Sequence, residues 1–215
     1  MTHQHAHTDY VAHTGFPLGE AVGNDIYRTS DGLVRAVPHL PEPEAAIGTL
    51  VEGKGIYAGR WEPVDEHGIS LKKVFDVYAA PGDLTDKRGQ RIQTKFSKAT
   101  KAVAKLKNFY GRDGAGLKDD KAILQAVRET NLEKLGKWWM PTEDILEGLL
   151  YQNKDQGLFK DICRTQYWSS TDIGGNSVHT TDFTDGWRDE WSDTNNKTEK
   201  RLTRPVRAEL IADFS

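Results

Sequence analysis

The chain has 215 residues, 37% of them hydrophobic and 28% charged, with a formal net charge of −3. That length and apolar content suit one globular domain with an appendage and exclude a chain too polar to fold. The near-neutral balance gives no general drive toward nucleic acid or a membrane surface, and no apolar run approaches the length of a bilayer span.

The first residues, Met1 to His7, show neither the basic start nor the apolar stretch of a signal peptide. Residues 1–47 differ in composition from the rest. They hold five of the seven histidines and four of the eight prolines, and six acidic residues face only Arg28 and Arg35, a net of −4. No helical period precedes Pro38. The expectation is an extended N-terminal arm, with short strands at 25–29 and 32–37 about the turn Ser30-Asp31, that anchors the chain to a larger assembly. His3, His5 and His7 alternate and on an extended chain share one side. A functional site needs a fixed tetrahedral geometry, so no metal is assigned there.

A domain is expected over 48–215. Residues 53–61 read as a glycine-broken strand and 71–79 as a second one, where Val74, Phe75, Val77 and Tyr78 give high β-propensity. Glu66-His67-Gly68 makes the turn between them. A helix is expected over about 94–110, because Phe96, Ala99, Val103, Leu106 and Tyr110 recur at three- and four-residue steps. Lys98, Lys101 and Lys105 form a row on its opposite face, and Gly111 ends it. A second helix is expected over 119–131, capped by Asp119 or Asp120, with Ile123, Leu124 and Val127 inward. Thr142 caps a third, over 143–151, burying Ile145, Leu149 and Leu146. Short strands and loops follow, and 201–210 is the closing strand.

The last third carries an ordered set of motifs: Trp138-Trp139-Met140-Pro141-Thr142, then Tyr167-Trp168-Ser169-Ser170-Thr171, then Phe183-x-Asp185-Gly186, then Arg204-Pro205-Val206-Arg207-Ala208. As a set they resemble the Lcl C-terminal domain-like family, over roughly 53–215. That family is related to the C-type-lectin fold of formylglycine-generating enzymes and of the variable proteins of diversity-generating retroelements. The resemblance implies an α+β fold, a twisted antiparallel sheet flanked by helices with its first and last strands close together. It also implies ligand-binding or particle-surface roles in phages and prophages, and no common reaction. Calcium-dependent sugar binders of this fold use motifs that do not fit here. Glu62-Pro63-Val64-Asp65 falls in the wrong region, and Trp191-Ser192-Asp193 lacks the asparagine.

No constellation of acid, base and nucleophile stands out. Cys163 is the single cysteine, which excludes an intrachain disulfide or a cysteine-based zinc site and suits folding in a reducing cytoplasm. It lies in an apolar context with no evident base, and formylglycine-generating chemistry needs paired cysteines. Ser169, His179 and Asp172 or Asp182 lack a nucleophile elbow. Ser169 and Ser170 are expected instead to hydrogen-bond backbone at a strand end. Neither catalytic residues nor a cofactor are assigned.

Two surfaces are singled out. Residues 87–121 carry eleven Lys or Arg against three Asp, and the face at Lys98, Lys101 and Lys105 is expected to meet an acidic partner rather than nucleic acid. Within 172–199, Asp172, Asn176, His179, Trp187, Arg188, Trp191, Asp193, Asn195 and Asn196 combine the aromatic, arginine and amide chemistry of recognition loops. They are the expected ligand-binding or interaction surface. The resulting expectation is a non-enzymatic virion component, made in the cytoplasm and virion-associated, of decoration, fibre or baseplate type. Its partners would be other assembly proteins through 1–47 and further copies of itself, with a surface receptor or glycan among its candidate ligands and no membrane insertion. A soluble ligand-binding protein of the retroelement variable type is the alternative, with an enzyme on the formylglycine-generating-enzyme fold behind it.

Overall fold

A computed structural model describes residues 40–184 and 193–214, together with the backbone of three short strands nearer the N-terminus. The chain divides into two compact units, Met1–Glu42 and Pro43–Ser215. The first contains β1 (Ala21–Gly23), β2 (Ile26–Arg28) and β3 (Val34–Ala36), an antiparallel sheet in the order β1-β2-β3. Tyr27 stands opposite both Ala21 and Arg35. His3, His5 and His7 lie outside the described residues.

The second unit is α+β. Its main sheet is antiparallel, in the order β10-β6-β5-β4, built from β4 (Leu50–Val51), β5 (Gly55–Trp61), β6 (Lys73–Ala79) and β10 (Val206–Asp213). Every residue of β6 is buried, Lys73 and Asp76 included, as befits a strand paired on both sides and carrying Val74, Phe75, Val77 and Tyr78. The β5–β6 connection turns where expected. Asp65 accepts the N–H groups of His67 and Ile69, both at 2.9 Å, and Gly68 supplies φ +74°. One face of the sheet packs Ile56, Ala58, Phe75, Val77, Ala79, Val206 and Ala208 into the main core. The other face carries a polar set. Tyr57 donates to Asp76 at 3.0 Å, Arg60 pairs with Asp76 at 3.4 Å, and Glu44 accepts from Tyr78. Ile47 packs on the core and Lys54 binds Glu44, so residues 43–47 belong with this unit.

The helices divide between two hydrophobic clusters. α1 (Phe96–Ala104) buries Phe96, Ala99 and Val103 and exposes its lysine row. It ends at Lys105, a turn and a half before the expected Gly111. The cause is non-local. Gly114 crosses the helix end so closely that a Cβ there would lie 2.0 Å from Val103 O, and its N–H takes Leu106 O. Asn108 and Tyr110 adopt φ +52° and +45°, so Tyr110 points outward rather than onto the buried face. α2 (Asp120–Arg128) has Asp119 as its N-cap, accepting Ala122 N–H at 2.9 Å. Ile123 and Val127 are buried as expected, joined by Ala126, while Leu124 is half-buried. A separate turn, α3 (Leu132–Leu135), follows under an Asn131 cap.

The third expected helix is α4 (Glu143–Ile145) running into a π-helical turn, Leu146–Tyr151, which together bury Ile145, Leu146, Leu149 and Leu150. Thr142 occupies the cap position but its hydroxyl bonds Asp144. The first N–H, of Glu143, is satisfied by Thr171 Oγ1 at 3.0 Å from across the fold. A 3-10 turn, Gly157–Asp161, docks where Gly48 and Gly157 meet. A Cβ on Gly157 would fall 2.4 Å from Gly48 O.

A second antiparallel sheet, in the order β7-β8-β9, comprises β7 (Gln166–Gly174), β8 (Ser177–Asp182) and β9 (Asp193–Asn196). Trp168 and Val178 pack on Phe96 and Val103 of α1 in a smaller core. Trp168 meets Phe96 edge-on at 5.7 Å and donates its indole N–H to Thr94 O at 2.7 Å. The closing strand begins at Val206 rather than 201. Arg201 and Leu202 instead bridge Thr94 and Tyr167, tying the small sheet to the body. Among the described residues, no helix is long and apolar enough to cross a membrane.

Candidate functional site

The small sheet ends in a bonded polar tip. Gly174 and Gly175, at φ +95° and +57°, let the β7–β8 hairpin close through Gly175-Asn176. Asn176 Nδ2 donates to Asn196 Oδ1 at 2.7 Å, and Lys197 N–H donates to Asn176 O at 2.9 Å. Lys197 Nζ reaches both Asp172 oxygens at 2.8 Å and Gly175 O at 3.1 Å, while sitting 5.8 Å from the centre of the Phe96 ring. The Lys197 hydrogen bond holds the Asp172 carboxyl below the usual carboxylate range. Thr198 adds two hydrogen bonds to Asn196 Oδ1. Asp172, Asn176 and Asn196 are therefore brought together. Trp187, Arg188 and Trp191 lie outside the described residues, and Asp193 and Asn195 are described only as backbone of β9.

His179 belongs to a different part of the small sheet. His179 and Thr181 lie two apart on β8 and share one face, toward the helical segment and away from Val178. His179 Nδ1 lies 2.8 Å from Glu143 Oε1. Burial pushes the imidazole below its ordinary value, against the pull of Glu147 and Asp120. Burial also raises the Glu147 carboxyl, with Glu143 adding to the effect, and raises that of Asp120. Glu143 and Glu147 sit four residues apart, one turn apart on one helical face, the signal by which the cluster could have been found. Among the described residues, no group of three or more His, Cys, Asp or Glu side chains is placed to hold a metal ion.

The serine–histidine–aspartate arrangement does not form. Ser169 Oγ donates to the backbone carbonyl of His179 at 3.0 Å, and Ser170 Oγ donates to Pro141 O at 3.1 Å, the backbone role expected of both. Cys163 is half-buried against the core, but its sulfur touches the Arg91 guanidinium, a partner 72 residues away that its neighbours in sequence do not reveal. Behind it runs a buried chain. Tyr167 donates to Asp83 Oδ2 at 3.0 Å, and Arg204 donates to Asp83 Oδ1 at 2.7 Å and to Ala80 O at 2.9 Å.

On α1, Lys98, Lys101 and Lys105 are exposed, with no ion pair to another side chain among the described residues. A cleft of about 310 Å³ lies apart from both surfaces, beside the β4–β5 turn, where Leu50, Pro81, Tyr110 and Trp138 form an apolar lining. No protein-family model matches the chain, and no curated protein matches it.

Proposed function

We propose that the chain is a non-enzymatic binding or structural protein with a C-type-lectin-like fold, and that it serves as a virion component. The observation that carries this reading is the tip of the small sheet. Asp172, Asn176, Asn196 and Lys197 bond one another across β7, β8 and β9, so the polar surface is pre-ordered at low entropic cost to a partner. The sheet order supports the fold assignment. β5, the first long strand, and β10, the closing one, flank β6 in a single antiparallel sheet. The exposed lysine row of α1 adds a second contact face, for an acidic partner, and residues 1–42, the expected arm less the five residues that belong to the domain, supply the anchor. Ser169 and Ser170 are engaged with backbone carbonyls, which favours a structural over a chemical role for them.

The test is fractionation of the source culture on a density gradient. The chain should co-sediment with particles, and Lys98→Glu/Lys101→Glu/Lys105→Glu should release it in a salt-sensitive manner while leaving it folded, since exposed charges contribute little to stability. Recovery of the wild type only among free proteins would replace the virion role with that of a soluble binder.

A further inference from the structure

The cleft beside the β4–β5 turn stands next to a pair of guanidinium groups, and the two features suit one ligand. Leu50 and Tyr110 flank the cleft and are 54% and 55% exposed, while Pro81 and the buried Trp138 complete its apolar lining. Tyr110 holds φ +45°, a conformation that a residue other than glycine rarely adopts. Its ring meets Phe109 edge-on at 4.9 Å, and Phe109 meets Trp138 edge-on at 6.3 Å, so the aromatic wall is a packed series. Gly55 lets Trp138 close on the turn, since a Cβ there would stand 3.1 Å from Trp138 Cη2 and 2.6 Å from Ala79 O. At about 310 Å³ the cleft lies at the small end of ligand sites and suits one ring or a short branched chain.

Arg112 Nε donates at 2.8 Å to the carbonyl of Gly53, which lines the cleft. Arg112 Nη1 and Arg207 Nε both donate to Gly136 O, at 3.3 and 2.9 Å, so two guanidinium groups converge on one carbonyl. Arg207 Nη2 donates to Glu209, and Glu209 pairs at 2.9 Å with Lys54, a second residue of the lining. Arg207 is 2% exposed, yet its Nη1 is buried with no partner. An unpaired buried donor is costly and rare in a finished structure. Burial pushes the Arg207 guanidinium below its ordinary value, with Arg112 adding to the effect and Glu209 opposing it. Arg112 meets two backbone carbonyls and, among the described residues, no carboxylate. The nearby acids are committed elsewhere, Glu44 to Lys54 and Tyr78, Glu209 to Lys54 and Arg207. Glu52 also lines the cleft. It is exposed, forms no ion pair among the described residues, and its charge opposes an anion there.

We propose that the cleft binds a small carboxylic acid with an aromatic or branched apolar body. The body lies among Leu50, Pro81, Tyr110 and Trp138. The carboxylate takes the N–H groups that Arg112 and Arg207 leave free, which pairs the buried donor and screens the two guanidinium groups from each other. The two oxygens of a carboxylate match this demand, whereas a doubly charged phosphate would meet stronger repulsion from Glu52 and Glu209. The site is separate from the tip of the small sheet and from the lysine row, so it goes beyond the particle-binding reading and does not depend on it.

The experiment uses the full chain and four probes: 3-phenylpropionate, its neutral amide, the matching amine 3-phenylpropylamine, and acetate. The readout is the NMR signals of the Gly53 amide and the Arg112 Nε–H. 3-Phenylpropionate should shift both saturably, with a dissociation constant on the order of 1 mM, as befits so small a ligand. The amide should bind about tenfold more weakly for want of charge-assisted hydrogen bonds, and acetate more weakly still for want of the apolar body. The amine should not bind measurably. Glu52→Gln, an exposed change that leaves the fold alone, should tighten the acid by about twofold. Arg112→Met should weaken the acid by about tenfold and leave the amide unchanged, read at the Gly53 amide alone. No saturable shift, equal affinity for acid and amide, preference for the amine, acetate binding as tightly as the aromatic acid, or looser binding of the acid to Glu52→Gln would each overturn the proposal. The comparison of probes on the wild type stands whether or not Arg112→Met folds.

Discussion

Two ion pairs built from the same chemistry show how differently the two sheets use charge. Asp83 and Arg204 meet at 2.7 Å with side chains 0% and 1% exposed, where the body of the domain joins β10. Asp172 and Lys197 meet at 2.8 Å with side chains 36% and 21% exposed, at the tip of the small sheet. The inner pair has lost its water. It persists because Tyr167, Arg91 and Ala80 O supply replacement partners, and removing one member strands the other. The outer pair keeps much of its hydration, so it fixes shape at little energetic stake. Polar residues inside the body hold its parts together, whereas those at the tip contribute little to its stability.

The largest effect that sharpens this contrast concerns the joint between the sheets. Trp168 is fully buried between α1 and the small sheet. Trp168→Ala should cost about 3–5 kcal/mol by denaturant unfolding, from lost burial and the cavity left behind. Wild-type stability would mean the small sheet is not anchored there. A smaller cost is expected at Gly114, where any side chain meets Val103 O. Gly114→Ala should destabilise by about 1–3 kcal/mol through the backbone shift it forces. An unchanged midpoint would remove the explanation for the early end of α1.

The third effect has the opposite sign. Glu147 has its carboxyl raised by burial and by Glu143, so the folded state holds that proton more tightly than the unfolded chain. Its charge therefore opposes folding as pH rises past the ordinary glutamate range. Glu147→Gln should raise the thermal midpoint at pH 7 and lose that advantage near pH 4, where glutamate is protonated in both states. A variant less stable at pH 7 would show that Glu147 is compensated in the free protein.

Local signals made much of the framework legible. β5, β6 and the cap of α2 follow from β-propensity, the turn Glu66-His67-Gly68 and Asp119, each decided by near neighbours. What escaped depends on distant chain. α1 stops because Gly114 returns to it. The cap of α4 comes from Thr171 rather than Thr142. The closing strand starts late because Arg201 and Leu202 are engaged by Thr94 and Tyr167. The candidate site divides in the same way. Asp172, Asn176 and Asn196 were legible as a polar turn-rich surface, and the structure joins them. His179 was legible as a polar residue in that surface, yet its partners come from Glu143, Glu147 and Asp120 in earlier helices. The Asp83 network spans separations of 84 and 121 residues, which no periodicity encodes.

The central claim is that charge inside the body is structural while charge at the tip is spare. Side-by-side urea unfolding of Asp83→Ala and Asp172→Ala tests it most directly. The account predicts a loss of about 3–5 kcal/mol for Asp83→Ala, because Arg204 is left buried and poorly paired. It predicts a loss of about 1 kcal/mol or less for Asp172→Ala. Equal losses, or a larger loss at Asp172, would contradict it.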